Sequence, residues 1–139
     1  SVTTVYSALL CGHLKQDDGV IDAAIVKDPA LFPLMSISAN SGKPARSRFR
    51  VIERFNQLLK DGRSLPLTRV QLMPETGRTH QLRLHCQHLG HPIWGCDLYG
   101  GREWPGTEQT SRLMLHASEL RLVHPISKEQ INVCHASPF

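Results

Sequence analysis

The stretch that decides the predicted fold is PETGRTHQLRLHCQHLG, residues 74–90. Its leading proline ends the strand-like segment 65–74, and Gly77 adds a second break, so the chain turns here. Thr79 fits the N-cap of a following helix, and Gly90 fits the C′ position at its other end. We therefore predict a helix of about three turns over 79–89. Its apolar stripe is Leu82, Cys86 and Leu89, at spacings of four and three.

Strand-like segments flank this helix on both sides. Upstream, β-branched and apolar residues favour strands at 2–10, at 19–26 and at 65–74, and Lys60, Asp61 and Gly62 mark a turn. Downstream, a Gly- and Pro-rich loop spans 90–110, and further strands are predicted within 112–125 and 129–136. Several strands around one helix predict an α+β fold with a mixed, mainly antiparallel sheet.

The segment RSRFRVIERF, residues 46–55, has a basic alternation. Arg46, Arg48, Arg50 and Arg54 share one parity, so the period of two predicts a strand with one cationic face, and Lys43 extends it. Two interpretations stay open. The face is either simply solvated, or it meets the phosphates of a nucleic acid.

Length and composition narrow the class of protein. A chain of 139 residues makes one domain, and 40% hydrophobic with 20% charged residues is typical of globular proteins. No apolar run reaches the roughly 18 residues of a membrane span, and the first residues show no signal peptide. The net charge of +4 and the pI near 9.1 are compatible with nucleic acid and equally with simple solubility.

The cysteines indicate a reduced, cytoplasmic protein. None of the four lies in a C-x-x-C pair, and their spacing is irregular. Two of them, Cys11 and Cys134, lie in apolar strand-like segments and are predicted core residues. The full set is Cys11, Cys86, Cys96 and Cys134.

Histidines and arginines crowd the segment 78–91, and three interpretations compete. The first is a metal site built from His80, His85, Cys86, His88 and His91, although no H-E-x-x-H motif is present. The second is a structural role in bridging the turn and the helix. The third is an anion site, in which the helix start and its cationic side chains hold a phosphate or carboxylate.

Several motifs in order resemble the RluA-type RNA pseudouridine synthase family. They are TGRTHQLRLH (residues 76–85), then LGHPIWG, then LYG, and finally RLMLHASELRLVHP. In addition, VYSALLCG near the N-terminus is similar to the tyrosine strand of that family. Together these motifs cover the chain from about residue 5 to residue 125. The resemblance implies an enzyme that isomerises uridine to pseudouridine in ribosomal or transfer RNA, without metal or organic cofactor.

The resemblance also implies roles for individual residues. Tyr6 corresponds to the active-site tyrosine that stacks near the target base, and Arg83 to the arginine that pairs with the catalytic aspartate. Arg78, His80 and Gln81 belong to the same motif and are expected to contact RNA or to be structural, and His116 to be structural. The expected RNA contacts are Arg46, Arg48, Arg50, Arg78, His80 and Gln81.

Two departures from the family pattern stand out. Cys96 occupies the position where the family usually has an aspartate, with Asp97 one place later. The larger departure is that no aspartate lies in the family's R-L-D context, which precedes the tyrosine strand by roughly thirty residues. We therefore expect residues 1–139 to be the C-terminal portion of a catalytic domain, to lack the nucleophile, and to be inactive alone.

Other expectations follow from these. A non-catalytic RNA-binding module on the same scaffold is the alternative function, and a metal-binding domain is a weaker third. A piece of a continuous sheet exposes strand edges, so self-association is also expected. No membrane partner is expected.

Overall fold

A computed structural model describes residues 2–27, 29–30, 34–38, 41–99, 104, 112–123 and 126–139. Within them the chain forms eight strands and one helix, which confirms the predicted α+β class. The elements are β1 (Val2–Cys11), β2 (Asp18–Asp22), β3 (Ile25–Lys27), β4 (Met35–Ile37), β5 (Arg46–Leu58), β6 (Ser64–Pro74), α1 (Gln81–His88), β7 (Leu115–Val123) and β8 (Gln130–Cys134).

Six of the strands form one sheet in the order β2-β5-β6-β1-β7-β8, and each neighbouring pair in it is antiparallel. The β3 and β4 strands form a separate small hairpin. The long β5–β6 hairpin turns at the predicted site, where Gly62 adopts a positive φ of 87° that a glycine accommodates without strain. The predicted strand at 19–26 is divided between β2 and β3, and the sequence analysis had not predicted β4.

The sheet separates two clusters of buried side chains, because residues alternate between its faces. The first cluster, which we call the helix-side core, lies between the sheet and α1. The second lies on the opposite face, around Trp94 and Leu67. The helix-side core contains Ala8, Leu10, Val70, Leu72, Phe49, Leu82, Leu84 and Cys86 among others, and Tyr6 packs against it.

A β-bulge divides the predicted basic face of β5. The pairing register shifts between Val51 and Glu53, so Arg50 lies opposite Gln71 but Arg54 lies opposite Thr68. Residues paired across an antiparallel ladder share a face, and Gln71 and Thr68 lie on opposite faces of β6. The prediction of one face for all four arginines is therefore wrong, because one inserted residue reverses the parity beyond it.

The helix is shorter than predicted. His80, not Thr79, occupies the N-cap. Its backbone is left-handed (φ 55°), so the helix begins only at Gln81, and the His80 side chain makes no capping hydrogen bond. At the other end Gly90 takes the C′ position as predicted, with a φ of 93°. The amide N–H groups of Gly90 and His91 bond to the carbonyls of Gln87 and Cys86, which is the Schellman pattern. Leu89 belongs to the predicted stripe but is 36% exposed, since it lies past the last helical residue.

Three of the four cysteines are buried and one is exposed. All four lie in the described residues and none forms a disulfide, and Cys11, Cys86 and Cys96 are buried. Cys134 is exposed, so its predicted core position is wrong. The reason is that β8 is the last strand of the sheet, and all five of its residues are exposed.

No helix in the described residues is long and apolar enough to cross a membrane.

Candidate functional site

Tyr6 lies on the central strand β1, on the helix-side face of the sheet. It pairs with Leu72 on one side and with Ala117 on the other, beside a bulge in the β1–β7 pairing. The ring packs against the helix-side core and is half-buried. Its hydroxyl has no hydrogen-bond partner within the described residues. The phenol is therefore held at the edge of the core with its polar end available.

Arg83 lies on α1, which crosses the same face of the sheet. Its neighbours Leu82 and Leu84 are buried in the helix-side core, which fixes the helix, while Arg83 itself is half-buried. Among the residues that the structure describes, its guanidinium has no hydrogen bond or ion pair. An arginine held on a packed helix with a free guanidinium is suited to bidentate pairing with a carboxylate.

The predicted RNA contacts on β5 lie on the other face. Arg48 pairs with Met73 and Arg50 with Gln71, whereas Phe49 pairs with Leu72, the cross-strand partner of Tyr6. The carboxylate of Glu75 bonds to Arg46 at 2.9 Å and to Arg48 at 2.8 Å, and these arginines lower its pKa. Arg50 makes no ion pair within the described residues. The sheet thus separates this arginine face from the face that carries Tyr6.

Gln81 is 4% exposed and ties the helix start to β5 and to the preceding loop. Its Nε2 donates to the carbonyl of Arg46 and to Ser47 Oγ, both at 2.9 Å. Its Oε1 accepts from Thr76 Oγ1 at 2.7 Å and from the Arg78 amide at 3.1 Å. The amide group is therefore fully used inside the protein and positions Arg78.

His80 has a similar bridging role. Its Nδ1 lies 2.9 Å from the hydroxyl of Tyr99, and the two rings meet edge to face at 5.5 Å. The same hydroxyl accepts a hydrogen bond from the amide N–H of Met35 at 2.7 Å. This chain of bonds joins the left-handed turn before α1 to β4. Sequence reasoning did not single out Tyr99, which lies in the loop after the helix.

His85 is fully buried, and its ring has both nitrogens occupied. Nε2 donates to the carbonyl of Ala23 at 2.8 Å, so Nδ1 accepts from the hydroxyl of Ser47, also at 2.8 Å. Ser47 in turn accepts from Gln81. Burial lowers the pKa of His85, with His88 adding to this effect and the Ala23 carbonyl and Asp22 opposing it. The bonds therefore hold a neutral imidazole.

Stability should fall with acid because of His85. Folding lowers the pKa of His85 below its ordinary value of 6.5. Below about pH 6.5 the imidazole is therefore protonated in the unfolded chain while it is still neutral in the folded protein. The contribution of His85 to the free energy of unfolding is fully present above about pH 6.5. It falls as the pH drops toward the pKa of the folded state, by up to about 1.4 kcal/mol per pH unit. Urea unfolding of wild type and His85→Gln at several pH values measures this. Equal slopes for the two proteins would contradict it.

A third histidine of this segment, His91, also has an internal partner, since its Nδ1 lies 2.8 Å from the carbonyl oxygen of Cys11. No group of three or more His, Cys, Asp or Glu side chains in the described residues is arranged to hold a metal ion. His116 bonds through Nδ1 to Ser118 at 3.0 Å. Three of the four histidines in 78–91 thus join elements of the fold to one another, in line with the structural interpretation, and His88 is exposed.

Cys96 is buried in the turn that follows Gly95, whose φ is 84°. Its sulfur accepts the amide N–H of Tyr99 at 3.4 Å. Asp97 is exposed beside it. A thiol therefore fills a buried turn position here, and the neighbouring carboxylate remains in solvent.

The class of protein is defined by the fold and the motif together. The fold is an antiparallel sheet packed against one helix, with Tyr6 on a central strand and Arg83 on the helix. The family model for RNA pseudouridylate synthase matches residues 1–88. The chain is 42% identical over 123 residues to the dual-specificity RNA pseudouridine synthase RluA of Vibrio parahaemolyticus, and 37% identical over 136 residues to the ribosomal large subunit pseudouridine synthase C of Vibrio cholerae. This chain belongs to the RNA pseudouridylate synthase family.

Solved structures agree. Human RNA Pseudouridylate Synthase Domain Containing 1 superposes with a TM-score of 0.81 at 38% identity, over 99% of this chain and 56% of that one. Human RNA Pseudouridylate Synthase Domain Containing 4 shares the fold, with a TM-score of 0.70 at 23% identity. The two bacterial relatives align over 88% and 96% of this chain but over only 47% and 40% of their own length. The chain thus spans about half the length of the relatives it matches, or less.

Proposed function

We propose that residues 1–139 are the C-terminal portion of a catalytic domain that isomerises specific uridines to pseudouridine in structured ribosomal or transfer RNA in the cytoplasm. The observation that carries this is the placement of Tyr6 and Arg83. Both lie on the helix-side face of the sheet, and each has its polar group without a partner in the described residues. Membership of the family supports the reaction class.

The reaction explains what the two residues do. The N1–C1′ bond of uridine breaks, the base turns, and C5 bonds to C1′, while C5 loses its proton and N1 gains one. A carboxylate acting at the sugar or the base is needed, and the free guanidinium of Arg83 is suited to hold it. The ring of Tyr6 is suited to support a base that has left its stack.

The residues proposed to contact RNA differ in how much of their charge is available to it. Arg50 and Arg78 have guanidinium groups that make no ion pair in the described part of the chain, so their full charge is available to phosphates. Arg46 and Arg48 share Glu75 and contribute less. His80 lies beside the Arg78 loop. Gln81 is buried, and its proposed contribution to RNA binding is to hold Arg78 in place.

The isolated 139-residue chain should show no turnover, because none of its aspartates lies in the R-L-D context. The assay is release of tritium from RNA labelled at uridine C5, since C5 loses its hydrogen when pseudouridine forms. Joining residues 1–139 to a segment that carries the nucleophilic aspartate should restore release. Turnover by the chain alone would contradict the proposal. RNA binding with no turnover in the joined protein would instead favour a non-catalytic module.

The chain by itself should associate through the β8 edge of the sheet. All five residues of β8 are exposed, with Ile131 and Val133 among the exposed apolar side chains. An exposed apolar edge strand offers unpaired backbone groups to another chain. Analytical ultracentrifugation should show dimers or larger species, and Val133→Lys should shift them toward monomer. A monomer at high concentration would show the prediction to be wrong.

A further inference from the structure

A cavity of about 440 Å³ lies between the β3–β4 hairpin and the loop that precedes α1. Three of its lining residues are cationic and come from separate parts of the chain. Lys27 ends β3, Lys43 lies in the segment that bridges to Ile25, and Arg78 lies in the loop after β6. Ser41 and Thr79 also line it. We call this the Lys27–Lys43–Arg78 pocket.

The lining of the pocket contains three cations and no acid. Elsewhere in the described residues, six arginines pair with carboxylates at 2.6–2.9 Å. None of the three pocket cations makes such a pair there, and Asp28, which follows Lys27, lies outside the described residues. Three like charges around one cavity repel one another, so an anion placed among them gains from all three. The paired arginines are Arg46, Arg48, Arg54, Arg63, Arg69 and Arg121.

The cations stand on a backbone that is already held in place. Two backbone hydrogen bonds of 2.8 and 3.0 Å join Lys43 to Ile25, which is buried. Arg78 donates through Nε to the carbonyl of Pro44 at 2.8 Å, and Gln81 accepts its amide N–H. Nε is thus occupied, whereas the terminal nitrogens of Arg78 have no partner in the described residues. A ligand that binds here loses less free energy to ordering the protein.

The chemistry of the pocket selects a phosphate. Guanidinium and ammonium donors with nearby hydroxyls suit phosphate oxygens. We propose that the Lys27–Lys43–Arg78 pocket binds a backbone phosphate of the RNA, an inference that rests on the proposed function. In sequence, Lys43 extends the basic strand 46–55, and no pattern in the sequence assigns a role to Lys27. In the structure Lys43 lines this pocket and is assigned to it instead of to the arginine face of β5. The pocket adds a proposed RNA contact near the start of α1.

The test is the binding of a fluorescently labelled RNA hairpin to the 139-residue chain, measured by anisotropy over a range of salt concentrations. The variant is the triple Lys27→Gln/Lys43→Gln/Arg78→Gln. Its matched control, Lys15→Gln/Lys60→Gln/Lys128→Gln, removes the same charge from three other loops. We expect the pocket triple to bind about tenfold more weakly, with the slope of log K against log salt reduced by about 1 to 2. The control should change affinity less than about threefold.

Each other outcome has a defined meaning. Equal weakening by both triples would overturn the pocket, because only net charge would then matter. Inorganic pyrophosphate that binds wild type but not the pocket triple, while RNA binding is unchanged, would overturn the assignment to RNA. Wild type that binds no RNA would overturn the proposed function together with the pocket. The double variant Lys27→Gln/Lys43→Gln leaves the Arg78 bond to Pro44 intact, so its weakening cannot be ascribed to a misfolded loop.

Discussion

Replacing Arg83 by alanine should lower turnover between about 10²- and 10³-fold in a protein that joins residues 1–139 to the segment with the nucleophilic aspartate. Arg83 is half-buried on α1, and its guanidinium has no partner in the described residues. Once alanine replaces it, the catalytic carboxylate loses the cation that we propose orients it. Tritium release from C5-labelled RNA measures the effect.

The controls separate this role from folding and from RNA binding. Gln87→Ala changes an exposed residue of the same helix and should leave turnover within about twofold. Arg83→Lys keeps the charge but not the paired geometry, so its turnover should fall between alanine and wild type. The Kd for RNA and the unfolding midpoint should be nearly unchanged in Arg83→Ala. If that variant turns over as wild type does, Arg83 does not hold the carboxylate.

Replacing His85 by alanine should lower the free energy of unfolding by about 3 kcal/mol. The ring is fully buried and links the Ala23 carbonyl to the Ser47 hydroxyl. Removing it leaves a cavity and two buried polar groups that have lost a partner. Urea unfolding at pH 7.5, above the range in which histidine titrates, measures the loss without interference from protonation.

His88→Ala is the matched control, since His88 is an exposed histidine three residues along the same helix. It should change the free energy of unfolding by no more than about 0.5 kcal/mol. Ser47→Ala should fall between the two, because it removes one hydroxyl and leaves the ring in place. A His85→Ala loss below about 1 kcal/mol would mean that the bonds around His85 contribute little to stability.

Much of the fold was predictable because it depends on local signals. The β-branched run of β1, the Lys60–Gly62 turn, the proline that ends β6 and Gly90 after α1 are each read within a few residues. The short hairpin β3–β4 was missed, since three-residue strands carry too little pattern. The exposure of Cys134 was missed because apolar composition does not tell which strand lies at an edge of the sheet.

The candidate site was predictable only as a set of residues. The motif TGRTHQLRLH and the tyrosine strand pointed to Tyr6 and Arg83 by resemblance. The sequence did not show that Gln81 is buried or that Ser47 and Tyr99 complete the hydrogen bonds around the motif. Those partners lie 19 to 38 residues away along the chain, so no local pattern joins them.

The α+β class, the family resemblance and the candidate residues for the expected chemistry thus follow from the sequence alone, because motifs and turn residues are local. Only the tertiary structure decided which face of the sheet each residue occupies. One inserted residue after Val51 moves Arg54 to the face opposite Arg50. Packing between distant segments brings Lys27, Lys43 and Arg78 around one cavity. Both depend on register and on long-range contacts, which the alternation of a single strand does not contain.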